Sequence, residues 1–141
     1  MANIPAENAH FALTDSGATS RNLSTDVVSI EGLPGPRTLL DNTTLGATGR
    51  TYHPGLQDVK FTVEFLYNDT ADTGSAIVIK NLRAHTAATA FIFGPKGSTT
   101  GFEKWSGTCW VSNPGIGIRI GSLVSITVEF TVNGALTAGV F

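Results

Sequence analysis

Charge, cysteine and long apolar runs are all scarce in this chain. Of its 141 residues 14% are charged, against about 25% in a typical globular domain. So little charge favours a protein that hides part of its surface in an oligomer. Lys and Arg number 9 and Asp and Glu 11, for a net charge of −2. The basic residues are scattered, so no footprint for tight nucleic-acid binding is expected. The single cysteine, Cys109, excludes an internal disulfide and a disulfide-stapled secreted scaffold. Beside Trp110 it reads as a buried structural thiol rather than a nucleophile. No apolar run approaches the ~20 residues of a membrane helix. The start, MANIPAENAHFAL, lacks the basic-then-apolar order of a signal peptide. Synthesis and folding in a cytoplasm are expected, without membrane binding.

Reactive constellations are missing too. His10, His53 and His85 are far apart, with no HExxH pair and no cysteine partner, so neither a metal site nor a cofactor is expected. No G-x-S-x-G elbow occurs, and no catalytic residue is assigned. The segments GPKGSTTG (94–101) and GIGIRIG (115–121) lack the order of a phosphate loop and read as loops and bends. Lys104 and Trp105 could stack on a base, but such a pair is more commonly a docked loop tip.

What the chain does have is alternation. Val59, Phe61, Val63, Phe65 and Tyr67 fall on one face of a predicted strand, and Asp58, Lys60, Thr62 and Glu64 on the other. Leu123–Val132 repeats the pattern: Val124, Ile126, Val128, Phe130 and Val132 point inward, and Ser125, Thr127, Glu129 and Thr131 outward. Ala9, Phe11 and Leu13 mark a first strand after a loose start over residues 1–8. Val27–Leu33 is a second, with Val28 and Ile30 on one side and Ser29 and Glu31 on the other, ended by Gly32 to Pro36. Arg37–Leu40 makes a short strand, and a polar, Thr- and Gly-rich stretch follows to Pro54-Gly55. Ser75–Ala87 predicts one helix, capped by Thr73 or Ser75. Thr89–Phe93 is a strand, Gly94–Gly107 a loop, Thr108–Ser112 a strand, Asn113-Pro114-Gly115 a turn and Ile116–Ile120 a short strand. Asn133-Gly134 reads as a hairpin turn, with LTAGVF returning as a last strand. The sum is one domain, residues 1–141: a mainly β sandwich or barrel of about seven antiparallel strands with one flanking helix.

The order of these segments resembles the major tail tube proteins of long-tailed bacteriophages, from about Leu23 to Gly139. An early strand, Val27–Glu31, precedes Asp41-Asn42-Thr43-Thr44-Leu45-Gly46. Arg50 and Pro54-Gly55-Leu56 follow, then Asp58 and the alternating strand Val59–Tyr67. The helix with Leu82-Arg83, the segment FGPKGS (93–98) and a closing strand with a Gly turn continue the likeness. Leu45 stands where an aromatic is expected, and Ala47 where an acid is common.

The resemblance implies a structural virion protein without enzymatic activity. Its copies would form homohexameric rings stacked into a tube that conducts DNA during ejection. Residues 39–55 would be an extended inter-subunit loop, with Asp41, Asn42, Thr43, Thr44, Leu45, Gly46, Arg50, Tyr52 and Pro54 as its contacts, ordering on assembly. Asp58, Lys60, Thr62, Glu64, Ser125, Thr127 and Glu129 would be candidates for the lumen wall. Implied partners are further copies of the chain, the tape measure, terminator and distal tail proteins, and viral DNA passing without specific binding. The virion tail would be its location. A tail-completion protein, the tube of a contractile injection machine and a monomeric β-sandwich binding module are the alternatives.

Overall fold

The computed structural model describes residues 3–141. The signal-peptide reading and the first part of the loose start rest partly on residues 1 and 2, which lie outside the described residues. The rest of that start is more regular than expected, because a 3-10 turn forms at Ala6–Asn8.

Seven antiparallel strands form one sheet. In chain order they are β1 (His10–Thr14), β2 (Ser20–Asn22), β3 (Val27–Glu31), β6 (Lys60–Leu66), β7 (Thr89–Gly94), β8 (Glu103–Gly117) and β9 (Ser125–Val140). Two more, β4 (Leu39–Asp41) and β5 (Tyr52–Pro54), pair only with each other. The sheet order is β2-β1-β7-β8-β9-β6-β3. The sheet curls until its limbs face each other. Phe11 of β1 meets Phe61 and Phe65 of β6 and Phe130 of β9, with ring centroids 6.1–6.3 Å apart. Phe61 stacks on Phe130 at 4.9 Å. Residues 23–26 bridge the two sheet ends: the Leu23 amide donates to the Phe11 carbonyl and the Leu66 amide to that of Asp26. Leu23 is fully buried there.

The core follows from β6 and β9, whose register sets Phe61 opposite Phe130, Val63 opposite Val128 and Phe65 opposite Ile126. All six are buried. Tyr67, expected on the same face, is half exposed because β6 ends at Leu66. The helix α1 (Ser75–Arg83) is shorter than expected, and Gly74 rather than Thr73 or Ser75 is its cap. Ser75 is buried instead, its hydroxyl donating to the Leu66 carbonyl at 2.6 Å. A Cβ on Gly74 would lie 2.3 Å from the Asn68 oxygen, so only glycine lets the chain turn from β6 into the helix. Ala76, Val78, Ile79 and Leu82 then pack on the core. The run Ile77-Val78-Ile79 stays helical because burial outweighs its β propensity.

Four strand expectations are corrected. In β3 a bulge between Val27 and Ser29 turns Val28 outward, so Val27 and Ile30, not Val28 and Ile30, pack on the core. The loop Gly94–Gly107 is shorter, because β8 begins at Glu103. Trp105 therefore lies in a strand opposite Phe93 and Ala138, its indole N–H bonded to Glu103. Asn113-Pro114-Gly115 is no turn. β8 runs through it with Pro114 opposite Val128, on a stretch that β7 does not pair. A proline without an amide donor fits a strand edge that offers no hydrogen bond there. Asn133-Gly134 is also inside a strand. β9 runs on to Val140, and between its pairs Asn133–Thr108 and Thr137–Ser106 it carries extra residues as a bulge, with Gly134 at φ +84°.

The aromatic cluster yields a direct test. Phe61→Ala should lower the free energy of unfolding by about 3–5 kcal/mol, the usual cost of emptying a buried phenylalanine site. Denaturant titration measures it, and a loss under about 1 kcal/mol would show that the cluster does not hold the limbs together.

Candidate functional site

Two surfaces stand out from the fold, and the first is the outer face of β8-β9-β6-β3. Directly paired residues in a sheet share a face, so the register assembles rows. Glu31, Thr62, Glu129 and Asn113 form one row; Ser29, Glu64, Thr127 and Gly115 form the next. Lys60, Thr131 and Trp110 line up at one end, and Leu66, Ser125 and Gly117 at the other. Lys60, Thr62, Glu64, Ser125, Thr127 and Glu129 are thus brought together from two strands. Asp58 is not: it precedes β6 and lies off the ladder. The face carries three glutamates, Glu31, Glu64 and Glu129, against one lysine. Ser112 ties it across strands, donating to the Glu129 carbonyl and accepting from the Thr131 hydroxyl. Asn113 and Gly115 escape sequence reasoning because they look like a turn, and Gly117 because the short strand expected at Ile116–Ile120 is the end of β8, which stops at Gly117. The alternation of β9 opposite them was the available signal.

This four-stranded face has two open edges among the described residues. β3 pairs only with β6. β8 pairs with β7 from Trp105 to Cys109 and with β9 alone from Trp110 to Gly117. Unpaired strand edges invite pairing with another chain. Cys109 ends the doubly paired stretch; it is buried, and burial pushes its thiol up to about 12. It is inert at neutral pH. His10, His53 and His85 gather no metal-binding cluster among the described residues.

The second surface is the arm. Residues expected as a loop that orders on assembly form a β-hairpin already: Leu39 pairs with Pro54, Leu40 with His53 and Asp41 with Tyr52. The pairing extends outward through Asn42 and Thr51, and Thr43 Oγ1 accepts from the Thr51 amide at 2.9 Å. Asp41 accepts from the Thr43 amide at 2.9 Å and from Arg50 Nη1 at 2.5 Å. The turn closes through Thr44, Leu45 and Gly46, with Gly46 at φ +89°. These polar side chains bond locally in place of a core, which is why the polar run is not a loop. Every residue from Pro34 to Pro54 is exposed, and Leu45 entirely so. An isolated two-stranded hairpin is at best marginal in water.

No family model and no curated protein matches the sequence. Solved structures do match the fold. A chain from the tail of an empty gene transfer agent particle of C6 symmetry aligns with TM-score 0.74 at 10% identity, over 97% of this chain and 99% of that one. The SPP1 tail tube aligns with TM-score 0.72 at 12% identity, over 99% and 80%. A chain of the sheath–tube complex of an extracellular contractile injection system aligns with TM-score 0.68 at 11% identity, over 99% and 93%. The curled seven-stranded sheet with a single helix is the phage tail tube fold.

The Asp41 carboxyl sits below the ordinary carboxylate range because Thr43 hydrogen bonds to it, with Arg50 adding to the effect. A carboxyl depressed in the folded state stabilises above its unfolded value, near 3.8, and that contribution is lost as pH falls through the folded value. The Thr43 and Thr51 amide NMR shifts should therefore stay constant from pH 7 down to about 4 and move only below it. A Thr43 amide shift that does not move below about pH 4 would show that Asp41 does not set the arm's pairing.

Proposed function

We propose that the chain is the repeating subunit of a phage-type tail tube and not an enzyme. The observation that carries this reading is the polar outer face of β8-β9-β6-β3, bounded by two open strand edges. β3 of one copy can continue the sheet of its neighbour along β8, because the alternating strand directions leave that junction antiparallel. Head-to-tail pairing of this kind closes into a ring when the rotation allows it. Six copies would match the C6 symmetry of the gene transfer agent tail. Rings would then stack through the arms.

The polar face becomes the wall of the bore. DNA is held by cationic contacts to phosphate, so a wall of Thr, Ser and three glutamates lets it slide, with Lys60 as the exception at one end. Other partners would be the tape measure, terminator and distal tail proteins, and the finished tube would sit in the virion tail after assembly in the host cytoplasm. The tube of a contractile injection machine is the second reading, supported by the likeness to the sheath–tube complex. A monomeric binding module fits less well. Phe61, Phe65 and Phe130 are buried, and the exposed Tyr52, Tyr67 and Trp110 lie on separate elements rather than in a row.

Deleting residues 42–50 should leave a folded monomer by circular dichroism while tubes disappear from electron micrographs. Intact tubes would refute the arm's role. Replacing Glu64 and Glu129 by Lys should leave assembly unchanged and slow DNA ejection, because each change puts a phosphate-binding cation on the wall. Ejection at the wild-type rate would remove the electrostatic role of the face.

A further inference from the structure

We infer that the apolar tip of the β8–β9 ribbon is the seat for the arm of a second copy of this chain in the next ring; this rests on the tube reading above. The tip, residues 118–124, joins β8 to β9 and exposes Ile118 at 81%, Ile120 at 103% and Leu123 at 74%. It continues into a groove of about 450 Å³ between α1 and the ribbon, floored by Ile116, Pro114 and Ile126 and walled by Tyr67, Ile77 and Lys80. Clustered apolar side chains in water mark a contact surface rather than a free one. A second exposed apolar cluster among the described residues is the arm, with Leu39, Leu40, Leu45 and Tyr52, and Leu56 just after it.

The register places these two clusters at opposite ends of the sheet. The arm leaves after Glu31 and returns before Lys60, beside Thr131. The ribbon tip emerges beyond Gly117 and Ser125, beside Leu66, at the far end of β6. An arm-to-tip contact between two copies is therefore heterologous, and it repeats along the strand direction instead of closing on a pair. That is the contact a stack of rings requires.

Reach and charge agree. From Thr38 to Leu45 the arm extends up to about 26 Å at ~3.3 Å per residue, and the seven residues of β6 span about 23 Å. The arm is thus long enough to cross the height of one sheet. Arg50 pairs with Asp41 inside the arm, and the tip segment Thr44 to Gly49 carries no charge. It can approach Lys80, Arg83 and Arg119 without like-charge repulsion. Gly46 at the turn leaves Leu45 as a fully exposed apolar knob.

The test joins Leu45→Cys with Ile118→Cys in one chain. The native Cys109 is buried and stays out of the chemistry. Assembled tubes are oxidised with copper–phenanthroline and run on a denaturing gel. Each copy offers one arm and one tip, so a ladder of dimers, trimers and higher species should form, and neither single variant should give one. Wild-type-like tubes without a ladder would overturn the inference and leave the tube reading standing. A wild-type chain that stays monomeric at every concentration would overturn both. Ile118→Asp with Ile120→Asp gives an independent measurement. The chain should remain folded by circular dichroism and still form rings, with tubes lost. Tubes of normal length would refute the seat.

Discussion

Phe61 lies opposite Phe130, and Thr62 opposite Glu129. That register between β6 and β9 decides both sides of the sheet at once. A shift of one residue would send Phe61, Val63 and Phe65 to water and put Lys60, Thr62 and Glu64 into the core. The inward side is held by stacked and tilted aromatic rings from both limbs of the curl. The outward side is then polar through its middle rows, with Trp110 and Leu66 at the two ends. A buried aromatic cluster and a polar band across the outer face are two consequences of one pairing.

The same curl explains where the chain is left incomplete. Helix α1 and residues 23–26 cover the interior, but among the described residues no strand pairs with the outer edge of β3 or with the edge of β8 beyond Cys109. Pro114 and the bulge between Val111 and Asn113 interrupt that β8 edge. Such features discourage indiscriminate pairing. They also limit the partner to a strand that needs few bonds at those points. With one polar face, two unpaired strand edges and two apolar projections among its described residues, the domain offers surface suited to cover by further copies. Its low charge fits that state, since a free monomer relies on surface charge to stay dispersed.

The sequence carried the centre of the fold and lost its periphery. β6 was legible because strict alternation over Val59–Phe65 admits no other period. The helix was legible from Ala76, Ile79 and Leu82 against the β-branched run Ile77-Val78-Ile79. The long ribbon was not. Asn113-Pro114-Gly115 and Asn133-Gly134 carry turn chemistry, and only the pairing of β8 with β9 overrides it. Val28 misled because a bulge changes which face a residue occupies without changing the sequence pattern. The arm was recognised as a projection but not as a hairpin. Its stability comes from Asp41, Thr43, Thr51 and Arg50 bonding to one another, and no hydrophobic alternation announces that. Six of the seven candidate wall residues meet on one face, while Asp58 falls outside the strand that would have carried it.

Electron microscopy of the concentrated wild-type protein, carried to a helical reconstruction, tests the central claim most directly. Stacked rings are predicted, with β3 of each subunit paired to β8 of the next and the row Glu31–Thr62–Glu129–Asn113 facing the bore. Rings with that face turned outward, or isolated monomers with both edges free, would contradict it.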